Sequence, residues 1–210
     1  MKDVVVVFAR APRLGAVKRR LAREIGARAA LRFHQATMTR LLRALAADRR
    51  FRTVVAVTPD RTRLRLPAGV ARMPQGSGDL GIRMHRAMWR FPRARVAIIG
   101  CDIPDAGPQD ARAAFRALGS AQAVFGPAVD GGYWLVALSP RRPAHPFAAV
   151  RWSTESALAD TLVNFAGRRV ALLRTLHDVD TAADLRRLST KSVRRVRGAG
   201  LARANRSLPA

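Results

Sequence analysis

The chain of 210 residues has a single cysteine, Cys101, so no internal disulfide framework can hold it together. No Cys/His spacing of a zinc site occurs either. One lone thiol fits a reducing compartment, and a cytoplasmic location is expected. Aromatic residues make up only 6%, few for stacking bases of single-stranded nucleic acid. No zinc finger, aromatic RNA-binding signature or heptad zipper appears, so no specific nucleic-acid partner is expected. No apolar run is long enough to span a bilayer. The start, Met1-Lys2-Asp3 and then Val4 to Phe8, lacks the long apolar region and small-residue cleavage site of a signal peptide and reads as a first strand. Neither the Walker spacing of glycines nor the dinucleotide-binding fingerprint is present.

Acidic residues are scarce: 14 stand against 39 basic ones, a formal charge of +25. A field of that sign attracts polyanions. The plainer account is an arginine- and alanine-rich composition that places many arginines on solvated helix faces. With hydrophobic residues at 49%, the chain has enough apolar material for a real core.

Short apolar runs alternate with amphipathic stretches, which predicts an α/β order. Val4 to Phe8 is a strand closed by a Pro/Gly loop. A helical stretch follows over roughly Lys18 to Asp48, with Leu31, His34, Gln35, Met38, Leu41, Leu42 and Leu45 at helical spacing and a break near Gly26. Thr53 to Thr58 is a strand, 61–74 a loop with a short strand near Val70, and Gly76 to Gly81 a glycine-rich turn. Leu80 to Trp89 then places Leu80, Met84 and Met88 on one face. Val96 to Gly100 is a strongly apolar strand, and Pro108 to Leu118 a helix with Ala111, Phe115 and Leu118 inward. Ala123 to Phe125 and Tyr133 to Leu138 are strands flanking Asp130-Gly131-Gly132. Ser153 to Phe165 reads as a helix with Ser153 as N-cap, and Val170 to Leu173 as a late strand. Thr181 and Asp184 have the spacing of a capping box for a short last helix. The pattern predicts one domain over 1–190, followed by a basic tail at 191–210 that is poorly ordered or a frayed helix. Strands alternating with helices imply a mostly parallel mixed sheet in a three-layer α/β/α sandwich, with ligands beyond the carboxyl ends of the strands.

With so few acids, their placement is informative. Asp102 and Asp105 follow the Val96–Gly100 strand, Asp130 sits in a turn, Asp178 and Asp180 follow the last strand, and Asp79 lies in the glycine-rich turn. Gathered at one sheet edge they need a compensating cation or nearby arginines. Mg²⁺ is held by one or two carboxylates plus phosphate oxygens, which suits a nucleotide site. The loop after the first strand offers the opposite charge: Arg10, Gly15, Lys18 and Arg20 stand before and within a helix start, where glycine allows close backbone approach and N–H groups are free for phosphate. A basic helix start on a basic protein is the alternative. Asp79 equally suits a cap for the Leu80 helix, Asp105 a cap for the Pro108 helix or the end of a turn, and Asp130-Gly131-Gly132 a hairpin turn. Trp89 and Trp152 read as packing residues. Of the four histidines, which show no ligand spacing, only His177 falls near these acids.

The string Phe8-Ala9-Arg10-Ala11-Pro12, Gly15, Val17-Lys18, Arg20-Leu21 resembles a bacterial glycosyltransferase-A-like (GT-A) family of nucleotide-diphospho-sugar transferases. Some of its members are labelled arsenosugar-biosynthesis glycosyltransferases. Further matches follow in order: Gly78-Asp79-Leu80-Gly81-Ile82-Arg83-Met84, Ile99-Gly100-Cys101-Asp102-Ile103-Pro104, Gly126-Pro127-Ala128-Val129-Asp130-Gly131-Gly132-Tyr133-Trp134, Trp152-Ser153-Thr154 and Asp178-Val179-Asp180-Thr181. They span nearly the whole chain up to about Leu188. The resemblance implies a GT-A fold and Mg²⁺ or Mn²⁺ as cofactor, held by Asp102 and Asp180. It implies phosphate contacts from Arg10, Gly15, Lys18 and Arg20, and base or ribose contacts from Gly78, Asp79 and Arg83. It places an acceptor or sugar pocket at Asp130, Gly131 and Gly132. Lys18, Asp102 and Asp130 are then the catalytic candidates. One departure is visible: relatives carry Lys-Thr-Arg-Leu where this chain has Lys18-Arg19-Arg20-Leu21, and with the threonine goes a hydroxyl for phosphate or metal-bound water.

The implied partners are a nucleotide or nucleotide-sugar donor and a small-molecule acceptor. Transfer of a sugar from a nucleotide-diphospho-sugar is the first expectation. Transfer of a nucleotide from a nucleoside triphosphate to a phosphorylated acceptor, as in phospholactate guanylyltransferases and sugar-nucleotide synthetases, is the second. A non-catalytic polyanion-binding protein is the third.

Overall fold

The structure is a computed structural model, and it describes residues 2–188. The tail expected at 191–210 lies outside the described residues. The elements run β1 (Asp3–Arg10), α1 (Arg19–Ile25), α2 (Ala27–Ala47), β2 (Phe51–Thr58), β3 (Val70–Pro74), α3 (Leu80–Trp89) and β4 (Val96–Gly100). They continue with α4 (Pro108–Ala117), β5 (Ala123–Pro127), β6 (Tyr133–Leu138), α5 (Ala157–Val163) and β7 (Val170–Leu172). Residues 182–188 are helical. Among the described residues, no helix is long and apolar enough to cross a membrane.

The seven strands form one sheet in the order β3-β2-β1-β4-β6-β5-β7. Only β6 runs against the others, antiparallel to both β4 and β5, because the short turn at 128–132 folds it straight back on β5. Residue alternation along each strand divides the core. Val5 and Val7 of β1 face Met38, Leu41, Leu42 and Leu45 of α2 and Phe115 of α4. Val4 and Val6 face the other way, against Met84, Ala87 and Met88 of α3, with Phe147 and Phe165. Both faces of the sheet are therefore covered, which is why the strands read as continuous apolar runs.

The break foreseen at Gly26 is real: its φ of 86° separates α1 from α2. The helix expected over Ser153 to Phe165 is shorter, α5 beginning only at Ala157. Ser153 is not its N-cap; it stands left-handed (φ 64°) in a turn over residues 152–156, and Ser156 takes the cap position. The cap of α4 is likewise not Asp105: the Asp110 carboxylate accepts from the Gly107 N–H at 2.9 Å. Thr181 and Asp184 form the expected capping box, the Thr181 N–H donating to Asp184 Oδ2 and the Asp184 N–H to Thr181 Oγ1.

Sequential connections move outward from β1 through β2 to β3, and the chain then crosses to place β4 on the opposite side of β1. The carboxyl ends of β1 and β4 thus diverge at a topological switch point, the place where sheets of this kind open a ligand crevice.

Candidate active site

A cleft of about 370 Å³ opens at that switch point, a size suited to small ligands. Phe8, Ala9 and Arg10 reach it from the end of β1, and Gly100 to Ile103 from the end of β4. Thr58, Gln75, Leu80 and Arg83 line it as well, together with Asp130, Gly132, Tyr133, Trp134, the 152–154 turn and Asp178.

Lys18 ties the site together. It adopts a left-handed conformation (φ 46°) at the N-cap of α1, which turns its side chain inward. Its ammonium lies 2.9 Å from Asp180 Oδ1 and 3.3 Å from Asp102 Oδ2. The Lys18 side chain is 3% exposed, whereas those of Asp102 and Asp180 remain 45% and 37% exposed. Burial works against the lysine's charge, but the two carboxylates outweigh it and raise its pKa above the ordinary value. Lys18 and Asp180, 162 positions apart in sequence, are thus paired directly.

Asp102 has further neighbours. His34 of α2 is 3% exposed; its Nε2 donates to the Arg10 carbonyl at 3.0 Å and its Nδ1 stands 3.3 Å from Asp102 Oδ1. The Cys101 thiol donates to the same carboxylate oxygen at 3.3 Å. Burial opposes the Asp102 charge, yet the His34 hydrogen bond and the Lys18 ammonium hold its pKa well below the usual carboxylate range. Burial and the adjacent Asp102 push the Cys101 thiol well up, so it stays protonated. His34, Cys101 and Asp102 bring one ligand atom each within 4.8 Å of one another. With both imidazole nitrogens engaged and a neutral thiol, this trio holds Asp102 in place better than it would hold a hard cation.

Asp178 behaves oppositely. Desolvation, the neighbouring Asp180 and then Asp130 raise it to about 6. The unfolded chain ionises this carboxyl near 3.8 and the folded one near 6, so folded Asp178 holds a proton over that interval. Its contribution to stability is fully present below 3.8 and is lost as pH rises through about 6. Asp178→Asn is therefore expected to melt about 2–4 °C above the parent at pH above that window, a figure discounted for solvent screening. The gain should vanish at pH below it. Thermal denaturation as a function of pH checks this, and a variant no more stable in alkaline than in acid solution would contradict it.

The other sequence candidates fall as follows. Arg10 lines the cleft, and its guanidinium reaches the Ala16 carbonyl at 3.4 Å across the loop. Gly15 (φ 72°) makes the exposed turn that leads to Lys18. Arg20 projects from α1 as an exposed side chain outside the cleft lining. Asp79 caps α3, accepting from the Ile82 N–H at 2.8 Å, after a turn made possible by Gly78 (φ 101°). Arg83 lines the cleft and donates to Gln75 Oε1 at 3.0 Å. Asp130 accepts from the Gly132 N–H at 3.0 Å, so the Asp130-Gly131-Gly132 segment is both the β5–β6 turn and a piece of cleft wall. Residues not singled out for this site also stand in it. Gln75 is buried, its amide donating to the Ala9 and Ala56 carbonyls at 3.1 and 2.8 Å. Trp152 is not only packing but lines the cleft, and His34, rather than His177, is the histidine beside the acids. Its helical spacing marked His34 as inward; nothing local revealed what it would face.

A seven-stranded sheet in this order, with a cleft at its switch point and a buried lysine paired with acids from two distant loops, defines a GT-A-like transferase. Residues 41–154, more than half of the chain, match the model of a family described as "Uncharacterized protein conserved in bacteria (DUF2064)", and the chain belongs to that family. Among solved structures, a candidate nucleotide-diphospho-sugar transferase from Desulfovibrio desulfuricans G20 is 28% identical, with a TM-score of 0.82 over 88% of this chain and 85% of that one. The Rv0371C complex with manganese from Mycobacterium tuberculosis H37Rv is 19% identical, with a TM-score of 0.53 over 89% and 98% of the two chains. The 4-diphosphocytidyl-2C-methyl-D-erythritol synthase from Anaerococcus prevotii DSM 20548 is 10% identical, with a TM-score of 0.56 over 87% and 94%. The latter two likenesses concern the fold. No curated protein matches the chain.

Proposed function

We propose that this protein transfers a sugar from a nucleotide-diphospho-sugar to a small-molecule acceptor, with Mg²⁺ or Mn²⁺ as cofactor. The observation that carries the reading is Lys18, buried and shared between Asp102 and Asp180 at the switch-point cleft. The donor set suits such a cation. Asp102 and Asp180 offer only oxygen and keep part of each carboxylate open. When bound there, the metal supplies charge neutralisation for the diphosphate leaving group.

The chain's own groups do the rest. Lys18 fixes the spacing of the two acids. Arg10, at the end of β1, and Arg83, at the start of α3, donate to donor oxygens. These donors are in place before the bond breaks, so they stabilise growing charge without reorganising. Asp130, exposed in the β5–β6 turn at the cleft, accepts the proton of the acceptor.

The test is product identity. Incubated with Mg²⁺ or Mn²⁺ and a panel of nucleotide sugars, the protein is expected to release nucleoside diphosphate, and excess chelator should stop the release. Pyrophosphate release from a nucleoside triphosphate and a phosphorylated acceptor would assign nucleotidyl transfer instead. Binding of random DNA that persists at physiological salt, with no thermal shift from any nucleotide, would assign a polyanion-binding protein.

A further inference from the structure

β1 and β4 pair only as far as the Cys101 N–H, which donates to the Phe8 carbonyl at 3.2 Å. Beyond that bond β1 continues beside β2, with Arg10 opposite Thr58. No backbone–backbone hydrogen bond joins it to the Asp102 segment among the described residues. The gap that opens here is bridged by one side chain, His34. Its Nε2 donates to the Arg10 carbonyl at 3.0 Å on the β1 side, and its Nδ1 faces Asp102 Oδ1 at 3.3 Å on the β4 side. The ring comes from α2, a helix of 21 residues seated on the sheet through Met38, Leu41, Leu42 and Leu45.

The other neighbours of Asp102 hold it less firmly. Cys101 donates to the same oxygen but is its chain neighbour and moves with it. Lys18 reaches Oδ2 on a flexible stem and ties Asp102 to Asp180, a group on another loop. The last torsion of an aspartate is soft, so its plane is fixed only by donors that do not move with it. A long packed helix supplies such a donor.

We propose that His34 is a positioning residue, which pins Oδ1 of Asp102 to the end of β1 and so sets how this carboxylate is presented to the divalent metal. The inference rests on the metal reading above. A histidine that merely filled the core would need a single partner for its polar edge. His34, 3% exposed, instead has both nitrogens on oxygens from the two sides of the crevice. Groups that orient a metal-holding carboxylate govern its affinity, and losing one costs about 10–100-fold.

Two amide substitutions separate the arms of the ring. An Asn amide nitrogen falls near the place of Nδ1, and a Gln amide nitrogen near that of Nε2. His34→Asn therefore keeps the donor to Asp102 and loses the one to Arg10, and His34→Gln does the reverse. The full chain is titrated with Mn²⁺, the free ion being read by electron paramagnetic resonance. Affinity is expected to stay within about three-fold of the parent in His34→Asn and to fall about ten-fold or more in His34→Gln. Both variants remove the ring from one buried position, so their melting temperatures should drop by similar amounts. Equal affinities in the two variants, or tighter binding by His34→Gln, overturn the proposal. If the parent binds no Mn²⁺, the metal reading fails, and the positioning is judged separately by chemical denaturation of His34→Gln, Asp102→Asn and the double variant. Coupling between the two substitutions supports it, and additive losses overturn it. The same cycle decides if His34→Asn does not fold.

Discussion

Asp102→Asn is expected to lower turnover by about 10²–10³-fold and to remove its dependence on divalent metal. The substitution keeps the shape of the side chain and an oxygen for the Lys18 ammonium, but removes the charge that both Lys18 and His34 face. Folding should survive, because 45% of the Asp102 side chain is open to solvent and no core contact is lost. The pH profile of stability should change at its acid end. The folded-state pKa of Asp102 is depressed, so its contribution is present above the unfolded value and is lost as pH falls through the folded one. The variant lacks that loss and should have a flatter acid limb. Steady-state kinetics with and without chelator, together with thermal melts at acidic and neutral pH, check both halves. Full activity in the variant, or parent activity undiminished by excess chelator, would refute the metal assignment.

The second large effect is expected from Gly131→Ala. Gly131 has φ 84°, a left-handed conformation that strains any residue with a Cβ. An added methyl would also overlap the Glu155 carbonyl, a backbone group that cannot rotate away. The β5–β6 turn and the 152–156 turn must then separate, which should cost about 1–3 kcal/mol of stability. Displacing the wall by a fraction of an ångström to an ångström should lower turnover on the order of 10²-fold. Gly132→Ala is the internal control. Its φ is not left-handed, and the new methyl would meet only the Asp130 side chain, at 3.2 Å. Chemical denaturation and kinetics of the pair should show a much larger loss at position 131. Equal losses at the two positions would mean that the contact between the two turns is unimportant.

How much of this could be read from the chain depends on the range of the interactions involved. The Val4 to Phe8 and Val96 to Gly100 runs are strands because β-branched and apolar side chains on both faces leave no other arrangement, and the structure extends the first only to Asp3–Arg10. The Gly26 break and the Thr181–Asp184 capping box are equally local, each set by a few adjacent residues. The misplaced start of α5 has a local cause that sequence hides: Ser153 suits an N-cap by composition, but its backbone is left-handed in a turn pressed against Gly131. Asp110 displaced Asp105 as the cap of α4 because it stands three residues after Gly107 and reaches back to that N–H.

The sequence by itself determined the α/β order, the two-faced burial of the sheet and the position of acids and a basic loop at strand ends, since all of these follow from side-chain periodicity and the chemistry of neighbouring residues. The crossing of β4 to the far side of β1 was decided only in three dimensions. That crossing brings Lys18 between Asp102 and Asp180 and turns His34 from a core position into a neighbour of Asp102. Charge and burial act through space, so the raised pKa of Asp178 and the lowered one of Asp102 depend on which distant loops meet.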